Sequence, residues 1–137
     1  MRLTGELLER CGLTEARYTA AMAEVLEELG PYIVIAPGVV LPHARPERGV
    51  RQVGLVLLTF AEPVPFGHAV NDPVWLAIGV AGTDDKAHEL ALAEIAMIMT
   101  VPEAVEAIRN ARDADEILVA IREAARIGKL AERHRER

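Results

Sequence analysis

Two histidines and one arginine are the side chains best suited to handle an anion. His43 lies in the run Ala36-Pro37-Gly38-Val39-Val40-Leu41-Pro42-His43-Ala44-Arg45-Pro46-Glu47, between prolines that restrict the backbone around it. A neutral imidazole offers a nucleophilic nitrogen near neutral pH. A histidine held rigidly just past a strand can therefore accept a phosphoryl group and release it again. Arg45 supplies a planar cation for phosphate oxygens. His88 falls in the first turn predicted for a helix beginning near Asp85, where free N–H groups and the helix dipole favour an anion. A strand-end histidine by itself is more often a hydrogen-bonded structural residue, so the chemistry needs the pair. If the fold unites His43 and His88, one imidazole carries the phosphate and the other donates a hydrogen bond to it.

The elements that must position these residues follow from periodicity and punctuation. Leu3, Leu7 and Leu8 recur at helical spacing, with Gly12 as a stop. A second helix is predicted from Thr14, as N-cap, to Leu29. Tyr18, Met22, Val25, Leu26 and Leu29 form its apolar stripe, and Gly30-Pro31 ends it. The runs 32–35, 38–41 and 53–60 read as strands divided by Pro37, Pro42, Pro46 and Gly49. Val74-Trp75-Leu76-Ala77-Ile78-Gly79-Val80 is almost continuously apolar, as a central strand covered on both faces should be. The segment 61–72 is expected to be a loop carrying His68.

A helix from Asp85 to Met99, capped within Thr83-Asp84-Asp85, is apolar over most of its circumference and is expected to be largely buried. Pro102 suits the first turn of the next helix. Asp113 with Glu116 resembles a capping box for the last one. Helix, strands, then helices without repeats or long linkers give an α/β layered domain: one domain over 1–137, with a charged C-terminal tail from about 128.

Composition narrows the function. With 137 residues, 51% of them hydrophobic and 26% charged, the chain has the balance of one globular domain. A net charge of −6 argues against general nucleic-acid binding. No run is long and apolar enough to span a membrane, and no secretory signal opens the chain, so a cytoplasmic location without membrane insertion is expected. The single cysteine, Cys11, excludes an internal disulfide and is expected to be buried. Between Arg122 and Arg137 there are five Arg and one Lys against three Glu, read first as a solvated helix and tail.

The run from Gly30 to Val50 resembles the active-site region of phosphotransferase-system enzyme IIA domains of the mannitol and fructose superfamily, most nearly the ascorbate type. Pro31-Tyr32-Ile33-Val34-Ile35-Ala36-Pro37-Gly38 leads into Pro42-His43-Ala44-Arg45-Pro46-Glu47, and Asn71-Asp72-Pro73-Val74 matches a second motif of that branch. The likeness spans roughly Gly5 to Arg122. It implies the mannitol-type fold, a central mixed β-sheet flanked by helices on both faces. It implies that His43 is phosphorylated by the carrier protein HPr, that His88 is the second active-site histidine, and that phosphate passes to a cysteine of an enzyme IIB. No metal or organic cofactor is required, and dimerisation is left open.

Two departures accompany the resemblance. Mannitol-type members carry an arginine near the end of the helix preceding the motif, where this chain has Glu24-Val25-Leu26-Glu27; Arg45 is expected to take over that charge. Family members also begin with a further strand, so this chain reads as short by one: a late start, a trimmed end or a sheet without one edge strand.

Two other readings use the same residues. A regulatory enzyme IIA-like protein, signalling its phosphorylation state through protein binding, would share the fold and His43. A zinc site from His43, His68 and His88 with Asp72 is the lesser alternative, because the spacing is not compact. His68 is expected at the rim of the site or simply exposed, and His134 solvated. Trp75 and Phe66 are read as core, Asp84 and Asp85 as caps, and Val39, Leu41 and Val70 as an exposed apolar rim for docking.

Overall fold

A computed structural model describes residues 1–136. The helices are α1 (Arg2–Arg10), α2 (Ala16–Leu29), α3 (Asp85–Met99), α4 (Pro102–Arg109) and α5 (Ala114–Arg135); the strands are β1 (Val34–Ala36), β2 (Val39–Val40), β3 (Gly54–Val64) and β4 (Val74–Ala81). The chain divides into two compact units, Met1–Ala91 and Leu92–Arg137.

In the first unit the strands form one mixed sheet in the order β1-β2-β4-β3. All eight residues of β4 are buried, which is why its sequence lacks alternation. It runs parallel to β2, with Val39 beside Leu76, and antiparallel to β3. α1 and α2 bury Leu8, Tyr18, Ala21 and Met22 with Ala44, Val56 and Ala81. Each of the larger side chains contributes about 1.5–3 kcal/mol by leaving water. A second cluster joins Ile33, Val34, Val40, Val74 and Ala77. The α/β architecture with a mixed sheet is as expected, and among the described residues no strand precedes α1.

In the second unit α4 opens at Pro102, and α5 is capped by Asp113, whose Oδ1 accepts from Glu116 N at 2.9 Å. Glu116 Oε2 reaches back to Arg112 N at 2.7 Å, one residue before the N-cap, so the capping box is offset by one. The charged C-terminal end stays helical through Arg135.

Several expectations need correction. The N-cap of α2 is Glu15; Thr14 is buried and its backbone bridges Val50. β3 continues through Ala61–Val64, because an edge strand tolerates Pro63. α3 buries only Ala91 and Ile95, since a helix rich in alanine and methionine is not thereby enclosed, and Leu90 is 59% exposed. Cys11, at the C-cap of α1, is exposed. Val39 and Leu41 are buried, being held in or beside the sheet, while Leu29 at the fading end of the α2 stripe is exposed. Trp75 is core, as expected.

Candidate functional site

β2 delivers His43. Three residues before the histidine the strand ends, but Leu41 remains anchored: its N–H donates to Ile33 O at 2.9 Å, and its own carbonyl lies 2.7 Å from His43 Nδ1. A carbonyl only accepts, so Nδ1 carries the proton and Nε2 keeps its lone pair. Pro42 O accepts from Val80 N at 3.3 Å, and Ala44 N donates to the Tyr18 hydroxyl at 3.0 Å. Both backbone neighbours of the histidine are therefore fixed, and the ring is half-buried.

His88 reaches the same place from the end of β4. Asp84 caps α3, its Oδ1 accepting from Ala87 N at 2.7 Å, and His88 N donates to Asp84 O at 3.0 Å. Gly82 makes the tight strand-to-helix junction possible: a Cβ there would lie 2.8 Å from His88 Cα and N. Nothing in the spacing of the sequence marked this glycine. The ring centroids of His43 and His88 are 5.2 Å apart and the planes tilted by 41°. Burial, and then the proximity of His43, hold the His88 pKa below its ordinary value. Its buried Nδ1 has no hydrogen-bond partner among the described residues.

A cleft of about 250 Å³ is lined by Val25, Leu29, His43, Ala44, Arg45, Pro46, Asp85 and His88. Arg45 is exposed and has no ion pair among the described residues. Arg48, which sequence reasoning passed over, is held by Glu24 at 2.6 Å. Being exposed, that pair contributes at most about 1 kcal/mol, but it neutralises Glu24 beside a cleft that would receive an anion. Two imidazoles, a guanidinium and a helix N-terminus thus converge on one opening, an arrangement suited to holding a phosphoryl group. A larger cavity, about 580 Å³, lies along α4 and α5. It has no histidine or arginine and includes Glu103, Asp115 and Glu123, which would oppose an anion.

His68 is not part of this site. Its Nδ1 accepts from Val70 N at 3.1 Å and Asn71 N at 2.9 Å, closing the turn before β4. Asn71 O in turn accepts from Gly38 N at the start of β2, so His68 and the exposed Val70 belong to the opposite end of the sheet from His43. Five extended residues separate Gly38 from His43, up to about 16 Å. Asp72 Oδ2 accepts from the amides of Phe66 and Gly67 at 3.0 and 2.7 Å. The three-histidine zinc arrangement is therefore not assembled. Among the described residues no group of three or more His, Cys, Asp or Glu is placed to hold a metal.

Residues 1–124 match the family model for the phosphoenolpyruvate-dependent sugar phosphotransferase system, EIIA 2. The ascorbate-specific PTS system EIIA component of Salmonella typhi is 39% identical over 114 residues, 82% of this chain and 74% of that protein. The crystal structure of IIA mannitol from Escherichia coli superposes with a TM-score of 0.75 at 26% identity, over 88% of this chain and 84% of that one. IIAMTL in its complex with phosphorylated enzyme IIBMTL from Escherichia coli gives 0.77 at 25%, over 89% and 84%. The fold is thus that of mannitol-type enzyme IIA, and the chain belongs to the EIIA 2 family of the phosphoenolpyruvate-dependent sugar phosphotransferase system, as a phosphotransferase component.

Proposed function

We propose that this chain is the phosphoryl carrier between HPr and an enzyme IIB of ascorbate-type sugar uptake, with His43 Nε2 as the accepting atom. The observation that carries this reading is the hydrogen bond from His43 Nδ1 to Leu41 O beside His88, which leaves one nucleophilic nitrogen facing a cleft. In the first step a bond forms from Nε2 to phosphorus while the bond from phosphorus to the HPr donor atom breaks, its electron pair staying with HPr. In the second, a thiolate of enzyme IIB attacks phosphorus and the Nε2–phosphorus electron pair returns to His43. Such transfer asks the protein for alignment and for charge on the equatorial oxygens.

His88 donates a hydrogen bond to those oxygens, Arg45 supplies the cation, and the α3 N-terminus adds its dipole. The ascorbate specificity and the enzyme IIB partner are supported by the relative and the complex named above. No helix among the described residues is long and apolar enough to cross a membrane, in keeping with a cytoplasmic carrier. The whole of 1–137 is taken to act as one domain.

Incubation with enzyme I, HPr and phosphoenolpyruvate, followed by intact mass and peptide mapping under mildly alkaline conditions, tests the reading. One phosphate on His43, absent from His43→Ala and moving to a cysteine when enzyme IIB is added, is expected. No phosphate on the folded protein, or phosphate on another residue, overturns it. Phosphate that stays on His43 in the presence of enzyme IIB favours the regulatory role.

A further inference from the structure

We propose that Tyr18 is a positioning residue for His43, its buried hydroxyl fixing the backbone just after the histidine and so setting where the imidazole stands. This rests on the carrier reading above. Tyr18 lies on α2 and is fully buried, 0% exposed. Its hydroxyl donates to Val80 O at 2.6 Å and accepts from Ala44 N at 3.0 Å.

Three features make this more than core packing. Residues 41–45 belong to no strand, so the sheet ladder does not hold Ala44; among the described residues the phenol is the only acceptor for its N–H. On the other side of His43, Pro42 O accepts from Val80 N. The two neighbours of the histidine are thus both referred to one residue of β4, Pro42 directly and Ala44 through the phenol. Val80 is also two residues from Gly82, where the chain turns into α3 and His88. A phenyl ring would fill the same space. Of that side chain only the hydroxyl ties Ala44, the residue after one histidine, to the strand that leads to the other.

The test is Tyr18→Phe in the whole chain, with two readouts that loss of packing alone would leave unmoved. One is the rate of phosphate acceptance from phosphorylated HPr, expected to fall tenfold or more at saturating donor with the half-saturating concentration unchanged. The other is the ¹⁵N spectrum of the His43 ring in the unphosphorylated protein, expected to change from a single Nδ1–H tautomer to a mixture. A folded variant in which either readout is unchanged overturns the proposal. If the unaltered protein takes no phosphate on His43, the carrier reading fails by itself, and the ring spectrum alone decides whether Tyr18 sets the imidazole. If Tyr18→Phe does not fold, amide exchange in the unaltered protein decides. Protection of Ala44 on the scale of the β4 amides supports the link, and exchange at the rate of an open loop overturns it.

Discussion

The two ends of the sheet each hold a histidine whose Nδ1 is engaged by main chain, and they do opposite things. At one end His43 Nδ1 faces a carbonyl, so it must carry the proton, and Nε2 is left with a lone pair. At the other end His68 Nδ1 faces two amides, so it must be bare, and the proton sits on Nε2. One side chain is left with a free nitrogen lone pair and the other closes a turn, through the polarity of the backbone they meet. Histidine content alone therefore says little about chemistry; the facing main-chain group says more.

The comparison can be broken most sharply by removing each ring. His43→Ala should abolish phosphate acceptance from HPr, whereas His68→Ala should accept at the unaltered rate, as read by radiolabel transfer. A folded His68→Ala that took no label would erase the distinction. The second largest effect belongs to the imidazole that only the His43 end possesses: His88→Ala should slow acceptance by about 10²-fold in rapid-quench measurements, the scale of losing one donor aimed at developing charge. Arg45→Ala should cost roughly tenfold, the worth of a hydrogen bond to a charged group in an open cleft. An unchanged rate would show that the cation comes from elsewhere, Arg48 being the nearest to examine.

Smaller effects sharpen the other side. His68→Ala removes the acceptor for two amides and should lower stability by about 1 kcal/mol, a fall of roughly 3–4 °C in Tm, without touching transfer. The last prediction concerns pH. His88 is held below its ordinary value of 6.5, first by burial and then by His43, so the unfolded chain takes up the proton more readily than the folded one. Its contribution to stability is complete above the ordinary value and is lost as pH falls through the lowered one. Denaturant melts at pH of about 7.5 and 5 should differ more for the unaltered protein than for His88→Gln; equal differences would remove His88 from the account.

Much of the fold was legible because local rules and burial agreed. β4 reads as central since nothing in Val74–Val80 prefers water, and α4 and α5 are marked by Pro102, Asp113 and Glu116. Local rules mislead where one residue can serve two purposes. Thr14 looks like a cap but spends its backbone on a bridge to Val50. Pro63 looks like a loop residue but sits in an edge strand, where one face of the ladder is open. Alanine at four of the fifteen positions of α3 looks apolar, yet so small a side chain gains little from burial and does not demand it.

The candidate site was legible only in its parts. His43, Arg45 and His88 carry suitable chemistry, but their meeting depends on β2 lying parallel to β4 and on the junction at Gly82, and periodicity reports neither. The rim around His43 is hidden from the sequence for a related reason. Val39 and Leu41 look exposed beside a reactive histidine, but the sheet that presents it encloses them; Leu29 and Val25 line the cleft instead. Tyr18 reads as one apolar residue on a helical stripe, and the value of its hydroxyl appears only once Ala44 and Val80 are seen on either side of it.

Gly82 acts as a spacer of zero thickness. With 2.8 Å between the site of its missing Cβ and the backbone of His88, the reach from one imidazole to the other is a mechanical tolerance set by a single absent carbon. Adding that carbon, and then larger groups, would push the first turn of α3 outward in graded steps. The position is therefore a dial on the gap between the two rings, one that can be turned without altering either histidine.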